Sequence, residues 1–419
     1  MFKRLKLVGA MFVLPWLLTY AVGARYVAAA PQAQAGPQTW TVLVGAEIFT
    51  EPGEKSSWHA MRFYPETITI NAGDTILFKQ NSGVEPHTVT FLGPDKQRPM
   101  DLIPEGPGGP DAPPRLVVNP LVAFPSEGNT YDGSKYANSG IMAQGLPTPP
   151  QYSLTFTTAG TFDYICVLHS VQLPDGSIMG MKAKVVVQDA GKALPMTPAQ
   201  VAAETEAQMQ ADERKALAEE PAAKQAATRP GPNGTTIHHI NSGYASEDGL
   251  LHYMRFGPSE VTINQGDTIE WSTLGMHNGF HTVTFGGEPE FLLFEPQPAG
   301  PPKIVLNPEF FPAGGSTYTG NGYYNSGPIV GPHDPPEAGA KSYSLTFSQP
   351  GRYEYICITH YLNGMDGTVT VNAATGAQPG MPRTGSGIEL PLLVGAALAG
   401  VALTSLGIAI RRRKSGEMI

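Results

Sequence analysis

The chain has 419 residues, 41% of them hydrophobic, which is enough for two or more domains with sizeable cores. Its formal net charge is −9. Without the four basic residues of 1–35 and the four basic and two acidic residues of 386–419, the remainder carries 19 basic and 34 acidic residues, a net −15. That balance argues against nucleic acid as a partner, and two cysteines in the whole chain exclude a disulfide framework.

Residues 1–35 read as a signal peptide. Lys3, Arg4 and Lys6 precede an apolar run from Leu7 to about Ala24, and Ala33-Gln34-Ala35 offers a small-x-small cleavage site. An uncleaved N-terminal anchor is the alternative. Residues 36–189 form a first domain of short strands. Trp40-Thr41-Val42-Leu43-Val44 is β-branched, and Thr67-Ile68-Thr69-Ile70 alternates as a half-buried strand does. Asn71-Ala72-Gly73-Asp74 turns into Thr75-Ile76-Leu77-Phe78, and His87 opens Thr88-Val89-Thr90-Phe91. A Pro/Gly-rich stretch from Gly93 to about Pro150 has little regular pattern and reads as a binding loop or a decorated insertion. Strands resume at Tyr152-Ser153-Leu154-Thr155-Phe156 and run through Tyr164-Ile165-Cys166 to Lys184-Val185-Val186-Val187.

Residues 190–232 are an Ala/Glu-rich linker. Thr197-Pro198 resembles an N-cap with proline at the first helical position, and the run to about Glu220 favours helix. Straight, it makes a spacer about 33 Å long. Pro221 ends or kinks it, and Pro230 to Gly234 reads as a flexible tail. Residues 233–373 then repeat the first domain. His59-Ala60-Met61-Arg62-Phe63 returns as His252-Tyr253-Met254-Arg255-Phe256, and Asn138-Ser139-Gly140 as Asn325-Ser326-Gly327. The Gly73-Asp74-Thr75-Ile76 turn returns as Gly266-Asp267-Thr268-Ile269, so one domain has been duplicated.

Residues 374–390 link to an apolar run at 391–410, long enough for a transmembrane helix, and 411–419 form a basic tail that should remain cytoplasmic. Both domains are then expected on the extracytoplasmic face of the membrane or on the cell surface. Met381-Pro382-Arg383-Thr384-Gly385 resembles a sortase sorting signal with Met in place of the usual Leu. Covalent attachment at Thr384 is the alternative to a retained membrane anchor.

Chemistry concentrates in two matching residue sets. His281, Cys357, His360 and Met365 form one; His87, Cys166, His169 and Met181 form the other. Two imidazoles, a thiolate and a weak thioether suit copper in electron transfer. The loop from His169 to Met181 is seven residues longer than that from His360 to Met365, and Met179 competes with Met181 as axial ligand. Second-shell hydrogen bonds to the cysteine sulfurs should tune the site, with Asn81, Asn138 and Asn325 as candidate donors. His59 and His252 share a repeat position and read as structural. His238 and His239 must face opposite sides of their strand. An extra metal site among these and His277 stays open, and His333 reads as a loop residue.

The ligand sets, the Gly-Asp-Thr-Ile turns, the His-Thr-Val-Thr-Phe strands and the closing valine strand resemble the plastocyanin/azurin-like blue copper proteins, over about 70% of the chain. The resemblance implies an all-β chain of two tandem Greek-key β-sandwich (cupredoxin) domains joined by a helical linker. It implies two type 1 copper sites cycling Cu(II)/Cu(I), with His87, Cys166, His169 and Met181 on one and His281, Cys357, His360 and Met365 on the other. It also implies electron transfer rather than enzymatic turnover, with a cytochrome, an oxidase or a surface oxidoreductase as redox partner. Copper storage or delivery is the alternative. A two-domain nitrite reductase or laccase-like oxidase fits less well, because Ile165, Val167, Ile356 and Ile358 flank the cysteines where those families place a histidine.

Overall fold

A computed structural model describes residues 36–50, 55–106, 115–143, 150–275, 279–332, 334 and 338–373. The expected signal peptide, sortase-like motif, membrane span and basic tail lie outside the described residues, as do His277 and His333. Among the described residues no helix is long and apolar enough to cross a membrane.

Each repeat folds as two sheets enclosing a core. In the first, Thr39–Ile48, Trp58–Tyr64, Thr75–Gln80, Gln151–Phe156 and Thr130–Tyr131 make one sheet. Thr67–Asn71, Ile178–Gln188, Gly160–Gln172, Thr90–Phe91 and Ala137–Asn138 make the other. Alternate residues turn inward, so Val42, Phe78 and Leu154 of one sheet meet Ile68, Tyr164 and Val185 of the other. Ile240, Trp271 and Leu345 meet Ile263, Tyr355 and Val369 in the same way in the second repeat. The Gly-Asp turns are structural. The Asp74 carboxylate accepts the backbone N–H of Gln38 and of Asn71 and the Trp40 indole N–H, and Asp267 accepts the N–H of Thr236 and of Asn264. His238 Nε2 lies 3.3 Å from Asp267, where the first repeat has Trp40, while His239 Nε2 lies 2.7 Å from Ser272.

The two sandwiches share a sheet. Trp58–Tyr64 pairs antiparallel with Leu251–Gly257 through Leu251↔Ala60, His252↔His59 and Tyr253↔Trp58, giving one continuous sheet of eleven strands. On one face of this seam Trp58, Ala60, Leu251 and Tyr253 form a separate core with Ala216 and Ala223 of the helix Pro198–Ala223. The helix is therefore a strut across the seam and not a spacer. Its polar residues hold it there: Trp58 Nε1 donates to Glu220 at 3.3 Å, Tyr64 donates to Asp212, and Arg62 pairs with Asp212 at 3.1 Å. Thr197 caps it with Gln200 in a reciprocal capping box. Pro221 is accommodated inside the helix, which stops two residues later. The expected flexible tail forms a short 3₁₀ turn at Pro232–Gly234, just after Ala227–Pro230 pairs with Thr236–Ala245.

The Pro/Gly-rich stretch of the first repeat also joins the domains. Its hairpin, Leu102–Glu105 with Arg115–Val118, pairs through Val117↔Val305 with the hairpin Leu292–Glu295 and Lys303–Leu306 of the second repeat. Arg115 pairs with Glu295, and Lys303 with Glu105, across that junction. The hairpins cover the residues beside the cysteines. Ile165 and Val167 pack with Ile304 of the other repeat, and Ile358 packs with Leu102 and Leu116.

His59 and His252 sit opposite each other on the far face of the seam, both fully buried. Burial lowers the His252 pKa to about 3, so the folded chain holds this ring neutral. Above the ordinary value the ring has no pH-dependent effect. As pH falls from 6.5 to about 5, only the unfolded chain takes up the proton, which removes about 2 kcal/mol of stability. His252→Gln is expected to flatten that part of the pH–stability profile, measured by urea unfolding; an unchanged slope contradicts a neutral His252.

Candidate metal centres

Cys357 directly follows the strand Gly351–Ile356, Cys166 lies within Gly160–Gln172, and each stands between two histidines. His87 follows a short loop and bridges Met142, with backbone N–H···O distances of 3.1 and 2.7 Å. Cys166 and His169 lie where the pairing of Gly160–Gln172 with Ile178–Gln188 breaks register between Ile165 and Ser170. The break frees the ligand-bearing residues from the ladder, and the extra loop length continues beyond it as more hairpin, with Val171 opposite Met179. In the second repeat the same turn is short: Cys357 and His360 each exchange a backbone bond of 3.0 Å with Met365.

The side chains converge. Cys166 Sγ lies 3.9 Å from His87 Nδ1 and 3.4 Å from His169 Nδ1. Cys357 Sγ lies 3.8 Å from His281 Nδ1 and 3.4 Å from His360 Nδ1, and the two Nδ1 atoms are 3.0 Å apart. Both triads keep their donor atoms within 4.8 Å of one another. Among the described residues, metal-sized groups of His, Cys, Asp and Glu form at these two places alone, so none forms around His238 and His239. Met181 and Met365 are fully buried in the same core clusters as Cys166 and Cys357, whereas Met179 is half-buried on the hairpin extension.

Each sulfur has its pKa lowered by its surroundings. The backbone N–H of Thr88 donates to Cys166 Sγ at 3.3 Å, and that of Thr282 to Cys357 Sγ at 3.3 Å. Burial pushes the Cys166 thiol up, but the His169 and His87 imidazoles prevail and hold it well below its ordinary value. Burial likewise raises Cys357, and His281, the Thr359 hydroxyl and the Thr282 N–H together bring it below. The expected asparagine donors do not reach the sulfurs. Asn138 and Asn325 bind the hydroxyls of Thr90 and Thr284 and nearby carbonyls, fixing the histidine-bearing strands, and Asn81 donates to the Gly45 carbonyl.

The sites differ in what surrounds them. Thr359 Oγ1 lies 3.1 Å from Cys357 Sγ, while the matching position before His169 is Leu168. Outside the first triad, His169 Nε2 lies 3.0 Å from the buried carboxylate of Glu85, a contact that no sequence motif announced. Burial works to lower the His169 pKa, and the Cys166 thiolate and Glu85 carboxylate raise it to about 10. The carboxylate keeps the proton on Nε2 and leaves Nδ1 for a metal.

Soft sulfur, two imidazole nitrogens and a dry surround fit copper better than a hard cation. Residues 53–188 and 245–372, together more than half of the chain, match the family described as copper binding proteins, plastocyanin/azurin family. The chain belongs to the plastocyanin/azurin family of copper-binding proteins. Similar solved structures include an oxidised mutant amicyanin, at 20% identity over 36% of this chain and 82% of that one, with a TM-score of 0.18. Oxidised plastocyanin from Dryopteris crassirhizoma is 18% identical over 32% of this chain and 99% of that one, also at 0.18. No curated protein matches the chain.

Both copper-family triads rest on a glycine. The strand Thr39–Ile48 bulges at Gly45 and Thr236–Ala245 bulges at Gly243, with φ of +71° and +78°. A Cβ at either position would overlap the ring of His87 or His281. Gly45→Ala is expected to weaken metal binding at the first site by more than an order of magnitude and spare the second, and Gly243→Ala to do the reverse. Metal titration of the two variants checks this; equal loss at both sites contradicts the local cause.

Proposed function

We propose that the chain is an exported one-electron carrier with two mononuclear type 1 copper centres, held at the membrane or cell surface by its C-terminal segment. The observation that carries the reading is the pair of buried sets of one cysteine and two histidines, each with its donor atoms within 4.8 Å of one another. His87, Cys166, His169 and Met181 would hold one copper, and His281, Cys357, His360 and Met365 the other. Bound copper supplies a one-electron couple between Cu(II) and Cu(I). The protein fixes the donors on strands and tight turns, so the same positions serve both oxidation states with little rearrangement. Packed hairpins exclude water from the sulfurs, and the backbone N–H groups stabilise their charge. Ile165, Val167, Ile356 and Ile358, which flank the cysteines where two-domain copper enzymes place a histidine, support a carrier over a catalyst. The acidic remainder of the chain supports a basic redox protein as the exchange partner.

Purified protein is expected to bind two coppers per chain with an intense thiolate-to-copper band, halved in either Cys166→Ala or Cys357→Ala. Protein without that band contradicts the proposal, and a second copper without thiolate character contradicts it for that repeat. The Thr359 hydroxyl favours the more electron-rich reduced state by donating to Cys357 Sγ. Thr359→Val is therefore expected to lower the second centre's reduction potential by roughly 60 mV, the one-electron equivalent of one charge-assisted hydrogen bond, and to leave the first unchanged.

A further inference from the structure

The two sites face each other across the seam, and one carboxylate stands between them. Glu85 Oε1 is 3.0 Å from His169 Nε2, and Glu85 Oε2 is 3.9 Å from His360 Nε2. Each of these imidazoles turns its Nδ1 to its own cysteine, at 3.4 Å in both repeats. The order across the molecule is therefore Cys166, His169, Glu85, His360, Cys357, with no exposed atom required along it. Glu85 is only 4% exposed. Its backbone is pinned on both sides: its N–H donates to Ser82 Oγ at 3.0 Å, and its carbonyl accepts from Gln80 Nε2 at 2.6 Å. Asn363 Nδ2, from the second repeat's ligand turn, lies 3.4 Å from Glu85 Oε2 and 3.5 Å from His59 Nε2.

A buried carboxylate is costly unless partnered. Burial here raises the Glu85 pKa, but the hydrogen bond from His169 and the charges of His360, His169 and His59 hold it well below the ordinary range. The duplication makes the placement one-sided. Aligning His87 with His281 puts Gly279 where Glu85 stands, so the pair of sites has one carboxylate and not two. Two would crowd like charges into one dry space. A single shared group satisfies one histidine and reaches towards the other.

We propose that the Glu85 carboxylate is the bridge through which the two centres exchange an electron, making the chain an internally connected two-site relay. This rests on the reading of both sites as one-electron centres. In the step, one centre is oxidised and the other reduced by the same electron; no bond forms or breaks and no proton moves. Tunnelling decays steeply with distance and less steeply through bonds and hydrogen bonds than through gaps. Removing the polar bridge should therefore slow the exchange without altering either centre.

The test uses full-length, copper-loaded, fully oxidised protein. A pulse of reductant injects less than one electron per chain, and absorbance is followed in time. Cys166→Ala and Cys357→Ala proteins supply the spectrum of each centre alone. Wild type is expected to show a redistribution phase whose rate does not depend on protein concentration. Glu85→Leu, or Glu85→Ala should the first not fold, should slow that phase by more than an order of magnitude while both thiolate bands and both reduction potentials persist. Glu85→Gln keeps an acceptor for His169 and should retain the phase. In copper-free protein, nitrogen-15 NMR should show a solvent-protected His169 Nε2 proton that Glu85→Leu loses. An unchanged redistribution rate in Glu85→Leu overturns the proposal, as does a wild type with two thiolate bands and no such phase. A His169 Nε2 proton equally protected in Glu85→Leu removes the hydrogen bond on which the bridge stands. Wild type with a single thiolate band contradicts the two-centre reading itself, and the bridge falls with it.

Discussion

The pairing of Trp58–Tyr64 with Leu251–Gly257 sets the geometry of everything else in the molecule. Strands alternate, so one register decides two faces at once. Trp58 and Tyr253 go to the helix side, where the strut Pro198–Ala223 covers them. His59 and His252 go to the other side, towards the metal-ligand turns. A slip of one residue would turn the aromatic rings towards the sites and the histidines under the helix. The cross-paired hairpins and the capped helix close the seam at other points, which fixes the two repeats as one unit and makes a shared group such as Glu85 possible.

Much of the fold and both triads were legible in the sequence because they depend on local patterns. Strands announce themselves by alternation, the duplication by repeated five-residue blocks, and the donor sets by the placement of the only two cysteines. The family match rests on the same blocks. What was hidden depends on long-range partners. The helix has a polar, Ala/Glu-rich composition that reads as a solvated spacer, yet it docks through Ala216, Ala223 and hydrogen bonds to Trp58 and Tyr64. The insertion hairpins are short and bounded by proline and glycine, so their pairing with each other left no signal in either alone. Glu85 is an acidic residue in a polar loop; its meaning comes from the imidazoles of His169 and His360, 84 and 275 residues further along the chain and beside it in space.

The near-symmetry of the repeats makes their differences informative. Thr359 against Leu168, the short turn against the long hairpin, and Glu85 against Gly279 all fall around the ligands. The sandwich frames, the glycine bulges and the backbone N–H bonds to sulfur are kept in both. The shared features hold a soft three-donor site, and the unshared ones give each site its own electrostatic surroundings. On the proposed reading, two copper centres in one unit would take electrons singly and hold two, which a single-domain carrier cannot.

Pulsed dipolar EPR on the fully oxidised, copper-loaded full-length protein tests this account most directly, because it reports how many Cu(II) spins interact and how rigidly they are held. Two coupled spins per chain with one narrow, short distance are predicted, as required if His169 and His360 lie on either side of one carboxylate. A broad spread of long distances would contradict the packed arrangement, and uncoupled single spins would contradict a second centre.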